Sequence, residues 1–220
     1  MWHATRCVIM RALALTSILF AACAATPTAT PSPDFTSVKA RLEQQPTRLF
    51  IGGAGSSGSL VAQRYTSDGW VSGTATIAIS SGELVASITG DQLKANTFDV
   101  ALDPSDVPES VFGKPAQLRD VKITLAEATS ASATWTDDNN ATATLPLKLD
   151  LTWSIAINNG VSQLGTQHLP LIPLDLALTG AGDHVDATLG LHGAGDLWSW
   201  AGLVELSQLD LSLVGATVDQ

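Results

Sequence analysis

The clearest pattern in the chain is a strict alternation of apolar and polar positions over residues 141–157. The polar positions include Lys148 and Asp150. Because a β-strand points successive side chains to opposite faces, this alternation predicts one strand with a buried face and a solvent-exposed face. The Asn-Asn-Gly sequence at 158–160 favours the positive φ angles of a tight hairpin turn. The apolar face consists of nine odd-numbered residues, Ala141, Ala143, Leu145, Leu147, Leu149, Leu151, Trp153, Ile155 and Ile157.

Shorter segments repeat this alternation from residue 48 onward, with turn residues such as those at 137–140 between them. Strands at such short intervals are typical of an all-β protein. We therefore predict an antiparallel sandwich or closed barrel of roughly ten strands. The alternating apolar sets lie within 71–79, 84–88, 98–102, 121–125, 131–135, 174–178, 185–191 and 209–213.

A single short helix is predicted ahead of these strands. Residues 34–45 place three apolar side chains on one helical face, and Asp34 is a suitable N-cap. That apolar face consists of Phe35, Val38 and Leu42. We therefore expect one β-rich domain over residues 34–220, which begins with this helix.

The first 23 residues have the three parts of an export signal. Arg6 and Arg11 make the start basic, and a short apolar run follows at 12–20. This run is too short to cross a bilayer, which takes about 20 apolar residues. The sequence Leu-Phe-Ala-Ala-Cys at 19–23 ends the signal, and it resembles the lipobox of bacterial lipoproteins.

The lipobox resemblance implies a modification and a location. In that family the signal peptidase cuts before the cysteine, so residues 1–22 would be a signal peptide and Cys23 would carry the lipid. Membrane lipid, bound through the acylated cysteine, is then the first partner of the mature chain. Ala24 rather than Asp after the cysteine implies the outer membrane of the cell envelope more than the inner membrane. The same inference holds whether translation starts at Met1 or at Met10.

Residues 23–33 predict a tether between the lipidated cysteine and the domain. They contain three prolines and four Ser or Thr residues. Such a composition keeps a chain extended and cannot pack a core.

Charge and cysteine content limit the possible partners and chemistry. The formal net charge is −10, and loss of residues 1–22, which hold two arginines and no acid, leaves −12. No Lys or Arg occurs from Leu149 to Gln220. A surface of this sign repels phosphate backbones, so we expect no nucleic-acid binding. Both cysteines, Cys7 and Cys23, lie in the targeting region, which leaves the domain without a disulfide or a thiol nucleophile.

One glycine-rich sequence resembles a cofactor motif. Gly53, Gly55 and Gly58 form a G-x-G-x-x-G pattern after an apolar run and resemble the dinucleotide fingerprint of short-chain reductases. That fingerprint requires a helix directly after the glycines and an acid at the end of the next strand. The turn sequence at 66–69 would stop such a helix, and Ser-Ser-Gly rather than an acid follows the segment 70–79. We therefore predict a flexible glycine loop and no cofactor.

The other polar residues form no catalytic or metal motif. His184 and His192 lie on one side of a predicted strand but about 26 Å apart, too far to share a metal. We expect both, like His168, to be exposed. No G-x-S-x-G nucleophile elbow occurs. Three aspartates are candidates for an acidic hydrolytic pair by position alone, with turn residues as the ordinary interpretation: Asp183, Asp186 and Asp196.

Three functions stay open at this point. The leading one is a non-enzymatic β domain for adhesion, assembly or envelope structure, with an envelope protein as partner. The second is a carrier of lipids or other hydrophobic ligands, because the Leu-rich face of 141–178 could line a cavity. The third is a hydrolase with a spatially assembled acidic site. Trp198 and Trp200 share one strand face, where core burial is favoured over a sugar-stacking or membrane-facing platform.

Overall fold

The computed structural model describes most of the predicted domain. Its residues are 35–158, 160–181, 183–200 and 204–218, without the side chains of 163, 164, 196, 198–200 and 204. All of them belong to the compact unit Pro33–Gln220. Asp34, Cys23 and the predicted signal and tether lie outside the described residues.

The described residues form fourteen strands and two short helices, which are joined by turns and loops. The helices are α1 (Val38–Gln44) and α2 (Glu109–Phe112). The strands are β1 (Thr47–Thr66), β2 (Gly69–Ile77), β3 (Ile79–Thr89), β4 (Gln92–Leu102), β5 (Ser105–Val107), β6 (Ala116–Leu125), β7 (Thr129–Ser132), β8 (Thr134–Asp137), β9 (Asn140–Leu147), β10 (Leu149–Ile157), β11 (Gly160–His168), β12 (Ile172–Ala181), β13 (His184–Trp200) and β14 (Val204–Ala216). The all-β class and the helix ahead of the sheet are confirmed, whereas α2 was not predicted.

One antiparallel sheet contains all of these strands. Its hydrogen-bonded order is β11-β10-β6-β4-β3-β1-β14-β13-β12-β9-β8, with β2 on β1, β5 on β6 and β7 on β4. This order does not close on itself, so the sheet is open and is not the closed barrel that was one of the two predicted forms. Fourteen strands rather than roughly ten arise because bends divide alternating segments and because three strands are only three or four residues long.

The sheet curves around a single core, which the connection from β9 to β10 demonstrates. These strands stand near opposite ends of the pairing order, yet only Lys148 separates them in the chain. The two ends of the sheet must therefore lie close together. Similarly, β7 pairs with β4 and β8 pairs with β9, and only Ala133 separates β7 from β8. One cluster of buried side chains accordingly draws members from strands throughout the sheet.

The strand predicted over 141–157 is divided at Lys148. Its first part, β9, pairs with β12, and its second part, β10, pairs with β6 and β11. The alternation is confirmed, since eight of the nine odd-numbered residues are buried and Ile157 is half-buried. The one buried residue on the polar face is Ser154. The same face therefore points to the core on both sides of the bend.

α1 is capped and docked by polar contacts. Its N-cap is Ser37 rather than the predicted Asp34, because the helix begins only at Val38; the Ser37 hydroxyl accepts a hydrogen bond from the amide of Ala40 at 3.2 Å. The three apolar residues of the predicted helical face are buried, as expected. The Arg41 guanidinium donates to the carbonyl of Asp183. The start of the helix also contacts the turn at 137–140.

Both turns predicted from Asn and Asp clusters are present. Asp137 Oδ1 accepts hydrogen bonds at 2.8 Å from the amide of Asn139 and from the side chain of Asn140. The amide of Asn139, followed by the side chain of Asn140, lowers the pKa of the Asp137 carboxyl below its ordinary value. At the other turn, Asn158 adopts a φ of 49° and Ile157 pairs with Gly160.

Candidate functional site

An apolar cavity lies inside the curved sheet, between the β1–β14 side and the β6–β10 side. Its volume is about 30 Å³, and it exposes no polar atom of the protein. An apolar cavity of this size stays dry, because a water molecule inside it would lack hydrogen-bond partners. The lining residues are Leu60, Ala62, Leu102, Val107, Phe112, Leu118, Val121, Ile123, Leu151, Trp153, Glu205, Leu206 and Leu209.

The Leu-rich face of 141–178 contributes less to this cavity than the sequence suggested. Only Leu151 and Trp153 from that range line it. The other leucines of that range with described side chains are buried in the packed core, Leu149 among them, except Leu171, which is exposed. The cavity therefore depends on residues from seven different elements: β1 and β14 face β6 and β10, and β4, β5 and α2 contribute one residue each.

Two β-bulges flank Trp153 in the cavity wall. The register of β10 shifts between Thr152 and Ser154 against both of its neighbours. The extra residues include Asp120 on β6 and Gly165 on β11, which adopt positive φ angles of 54° and 71°. A bulge bends its strand and increases the local twist. Paired bulges at this point curve the sheet around the indole that faces the cavity.

α2 covers one side of the cavity as a single helical turn. Phe112 lines the cavity, and Val111 is completely buried. Gly113 ends the turn in the left-handed region, with φ of 68°. α2 packs tightly against β2 at Gly73, where an added Cβ would lie 2.7 Å from Val111 Cγ2 and 2.9 Å from Pro108 Cβ. The missing side chain of Gly73 thus makes room for the turn.

Arg64 stands at the rim of the cavity. Leu60 and Ala62 line the cavity from β1, and strand alternation places Arg64 next on the same face. Its Nη1 donates a long hydrogen bond, 3.5 Å, to the carbonyl of Phe112. Arg64 therefore connects β1 to α2 beside the cavity.

The predicted histidine and aspartate candidates do not assemble into one site. Each of the three is paired with its own aspartate; His168 and His192 are exposed, as expected, whereas His184 is half-buried. The pairs are His168 with Asp150 at 2.6 Å, His184 with Asp186 at 3.1 Å and His192 with Asp210 at 3.1 Å. Within the described part of the chain, no three His, Cys, Asp or Glu residues are grouped so that they could hold a metal. The Asp196 side chain lies outside that part.

The glycine-rich motif belongs to a strand, so the prediction of a flexible loop was wrong. Gly53, Gly55 and Gly58 all lie within β1, and no helix follows them. An added Cβ at Gly53 would come within 2.7 Å of the Ile79 carbonyl oxygen. Gly55 adopts a φ of 80° where the β1–β14 register shifts. These glycines therefore serve the strand: they allow close approach of a neighbouring backbone and a β-bulge. They do not form the turn before a helix that binds phosphate in the dinucleotide motif.

A buried serine lies beside an acid on the β10–β6 pair. Ser154 Oγ donates to Asp120 Oδ2 at 2.8 Å and lies 3.2 Å from the carbonyl oxygen of Arg119. No imidazole takes part in these contacts, and the Ser154 side chain has no solvent exposure. Because a nucleophilic serine needs a base and access to substrate, this contact is a structural element of the bulge.

An unpredicted aromatic pair is exposed at the β1–β2 hairpin. Tyr65 and Trp70 are paired in register, and their rings meet edge to face with centroids 5.4 Å apart. Each is about half exposed. Trp198 and Trp200 lie on β13, but their side chains are outside the described residues. In the described part of the chain, no helix has the length and apolar character that crossing a membrane requires.

Comparison of the chain with protein-family models gives no match, and comparison with curated proteins gives none either. The candidate site therefore rests on its own geometry. Sequence reasoning missed its three main parts, namely the cavity, α2 and Arg64. The usable signals were the Pro and Gly residues on either side of α2 and the arginine that continues an apolar strand face.

Proposed function

We propose that this protein is a membrane-anchored, extracytoplasmic lipoprotein whose β domain binds a small apolar ligand or the apolar part of a larger one. The observation that carries the binding role is the apolar cavity that Phe112 of α2 helps to line. Its entirely apolar surface favours hydrocarbon over any polar ligand, because a buried polar group without a partner costs free energy. The anchor is supported by the lipobox resemblance at Cys23.

The size of the cavity implies that α2 moves when a ligand enters. A volume of about 30 Å³ holds little more than a methyl group, whereas binding sites for drug-sized ligands measure several hundred Å³. α2 is one helical turn that ends at a glycine, and the hydrogen bond from Arg64 to its last residue is long. Displacement of Phe112, which lines the cavity, would enlarge it.

We propose a binding role rather than a catalytic one for this cavity. General acid–base catalysis needs an ionisable group within about 3 Å of the reacting atom. Glu205 contributes only carbon atoms to the cavity surface, since no polar atom is exposed there. Every residue that lines the cavity presents only carbon atoms to a ligand inside it.

Filling the cavity tests the proposed function. We expect Ala62→Leu to weaken binding of the apolar dye N-phenylnaphthylamine by about tenfold, because the larger side chain occupies the cavity. Dye fluorescence, titrated against the mature chain, measures the affinity. Emission of Trp153, which lines the cavity, offers a second readout.

The matched control is Ala101→Leu on β4. Ala101 lies between Val100 and Leu102, which are buried, so its side chain points to the opposite face of the sheet. This variant adds the same atoms outside the cavity and should bind the dye like the wild type. Equal dye affinity in both variants would show that the cavity is not the binding site.

Replacement of Cys23 tests the anchor. We expect Cys23→Ala to abolish incorporation of labelled palmitate and to leave precursor or unanchored protein, because the thiol at the lipobox position that would carry the lipid is removed. Labelling in cells followed by membrane fractionation measures both effects. Cys7→Ala is the matched control and should be labelled normally. Undiminished labelling of Cys23→Ala would refute lipidation at this residue.

A further inference from the structure

Arg64 has hydrogen-bonding capacity that the described residues do not use. Its Nε is buried and has no hydrogen-bond partner among the described residues, whereas its Nη1 donates a 3.5 Å hydrogen bond to the Phe112 carbonyl. Buried polar groups in folded proteins nearly always have a partner, and an arginine side chain carries five N–H donors. The unpaired donor stands where the apolar row of Leu60 and Ala62 ends.

We propose that Arg64 binds the anionic head group of an amphipathic ligand whose hydrocarbon part occupies the cavity. This inference rests on the proposed function. It adds that the ligand carries a carboxylate or a phosphate at one end. Either group can accept two parallel hydrogen bonds from a guanidinium, and neither can be satisfied by the cavity itself.

The nearest carboxylate on β14, that of Glu205, does not occupy the position beside Arg64 where an anion would bind. In the register of β1 with β14, Glu205 is paired with Gln63, and Arg64 is paired with Val204. Strand alternation points the Gln63 side chain away from the Arg64 side, and the Glu205 carboxylate does not reach the cavity surface. Arg64 also forms no ion pair with any described carboxylate, so its charge is not neutralised there.

The geometry also gives Arg64 two roles that an experiment can separate. Its contact with Phe112 holds the turn that covers the cavity, and its buried Nε is a donor without a described partner. Loss of the first role would change the binding of every apolar ligand. Loss of the second would change the binding of charged ligands alone.

Three ligands of equal chain length separate these roles: octanoate, octyl phosphate and 1-octanol. We expect all three to bind the wild-type mature chain. Arg64→Met should weaken binding of the two anions by about tenfold to a hundredfold more than binding of octanol, the range for a lost hydrogen bond to a charged group, because loosening of α2 affects all three ligands alike. Arg64→Lys should restore part of the affinity for the anions. Isothermal titration, with circular dichroism as a check on folding, provides the measurement.

Each other outcome has a definite meaning. Equal weakening of octanol and the anions would overturn the inference, because Arg64 would then act only through α2. Unchanged affinity for all three in Arg64→Met would overturn it as well, while the proposed function would stand. A wild-type chain that binds none of the three would refute the proposed function itself. An effect on one anion alone would support the inference and identify carboxylate or phosphate as the head group.

Discussion

Leu149→Ala is expected to lower the free energy of unfolding by about 2–5 kcal/mol, the range for a large-to-small change in a packed core. Leu149 is only 1% exposed, and it does not line the cavity, so its truncation leaves a new void. It begins β10 immediately after the bend at Lys148, where it pairs with Leu125 of β6. The amide of Leu169 also donates to its carbonyl at 2.8 Å. Urea denaturation of the mature chain measures the loss.

Thr152→Ala on the same strand is the matched control. Thr152 is exposed, and its hydroxyl lies 3.5 Å from that of Thr166, at the limit of a weak hydrogen bond. We expect a change within about 0.5 kcal/mol, as for most surface substitutions. Similar small losses in both variants would contradict the burial of one face of β10.

Alternation predicted β9 and β10 well because a strand with one buried face has an apolar residue at every second position. Every second residue from Ala141 to Ile155 is buried. A shift of one residue would expose all of them, so the register is strongly specified. The same pattern cannot show where a strand leaves one neighbour for another. The bend at Lys148 keeps the alternation intact, and therefore two strands looked like one.

A β-bulge gives a weaker signal in the sequence, and β6 provides an example. Its buried residues are Ala116 and Leu118, then Val121 and Ile123, so the apolar positions change from even to odd around Asp120. Such a change indicates one extra residue in a strand. It would have extended the predicted strand at 121–125 back to residue 116 and would have placed a bulge beside Trp153.

The candidate site was beyond sequence reasoning for two physical reasons. A four-residue turn such as α2 is too short to show helical periodicity. The cavity is formed by side chains far apart in the chain, for example Leu60 and Leu151, and only the curvature of the sheet brings them together. Arg64 on its own resembles any strand residue near a hairpin. Its meaning depends on the unpaired buried Nε at the cavity rim.

Gly73→Ala is expected to destabilise the domain by about 1–3 kcal/mol and to loosen α2, because the added methyl group has no space. It would lie 2.7 Å from Val111 Cγ2 and 2.9 Å from Pro108 Cβ. Neither neighbour can move alone, since valine is branched at Cβ and the proline ring is rigid. Relief therefore requires a shift of α2 away from β2. Urea denaturation measures the stability, and the rate of dye uptake measures the opening.

Gly52→Ala is the control, for which we expect no loss of stability. Gly52 also lies in a strand, but an added Cβ there meets no atom within 4 Å. Replacing an unstrained glycine restricts the unfolded chain, so we expect this variant to be unchanged or stabilised by about 0.4–1 kcal/mol.

The pair of glycine variants also tests whether α2 controls entry to the cavity. If α2 moves to admit a ligand, Gly73→Ala should accelerate dye uptake relative to Gly52→Ala, because its α2 is already displaced from β2. A loss of stability at Gly73 without faster uptake would show that α2 packs tightly but does not cover the entrance. Ligands would then reach Leu60 and Trp153 by a different path between β1–β14 and β6–β10.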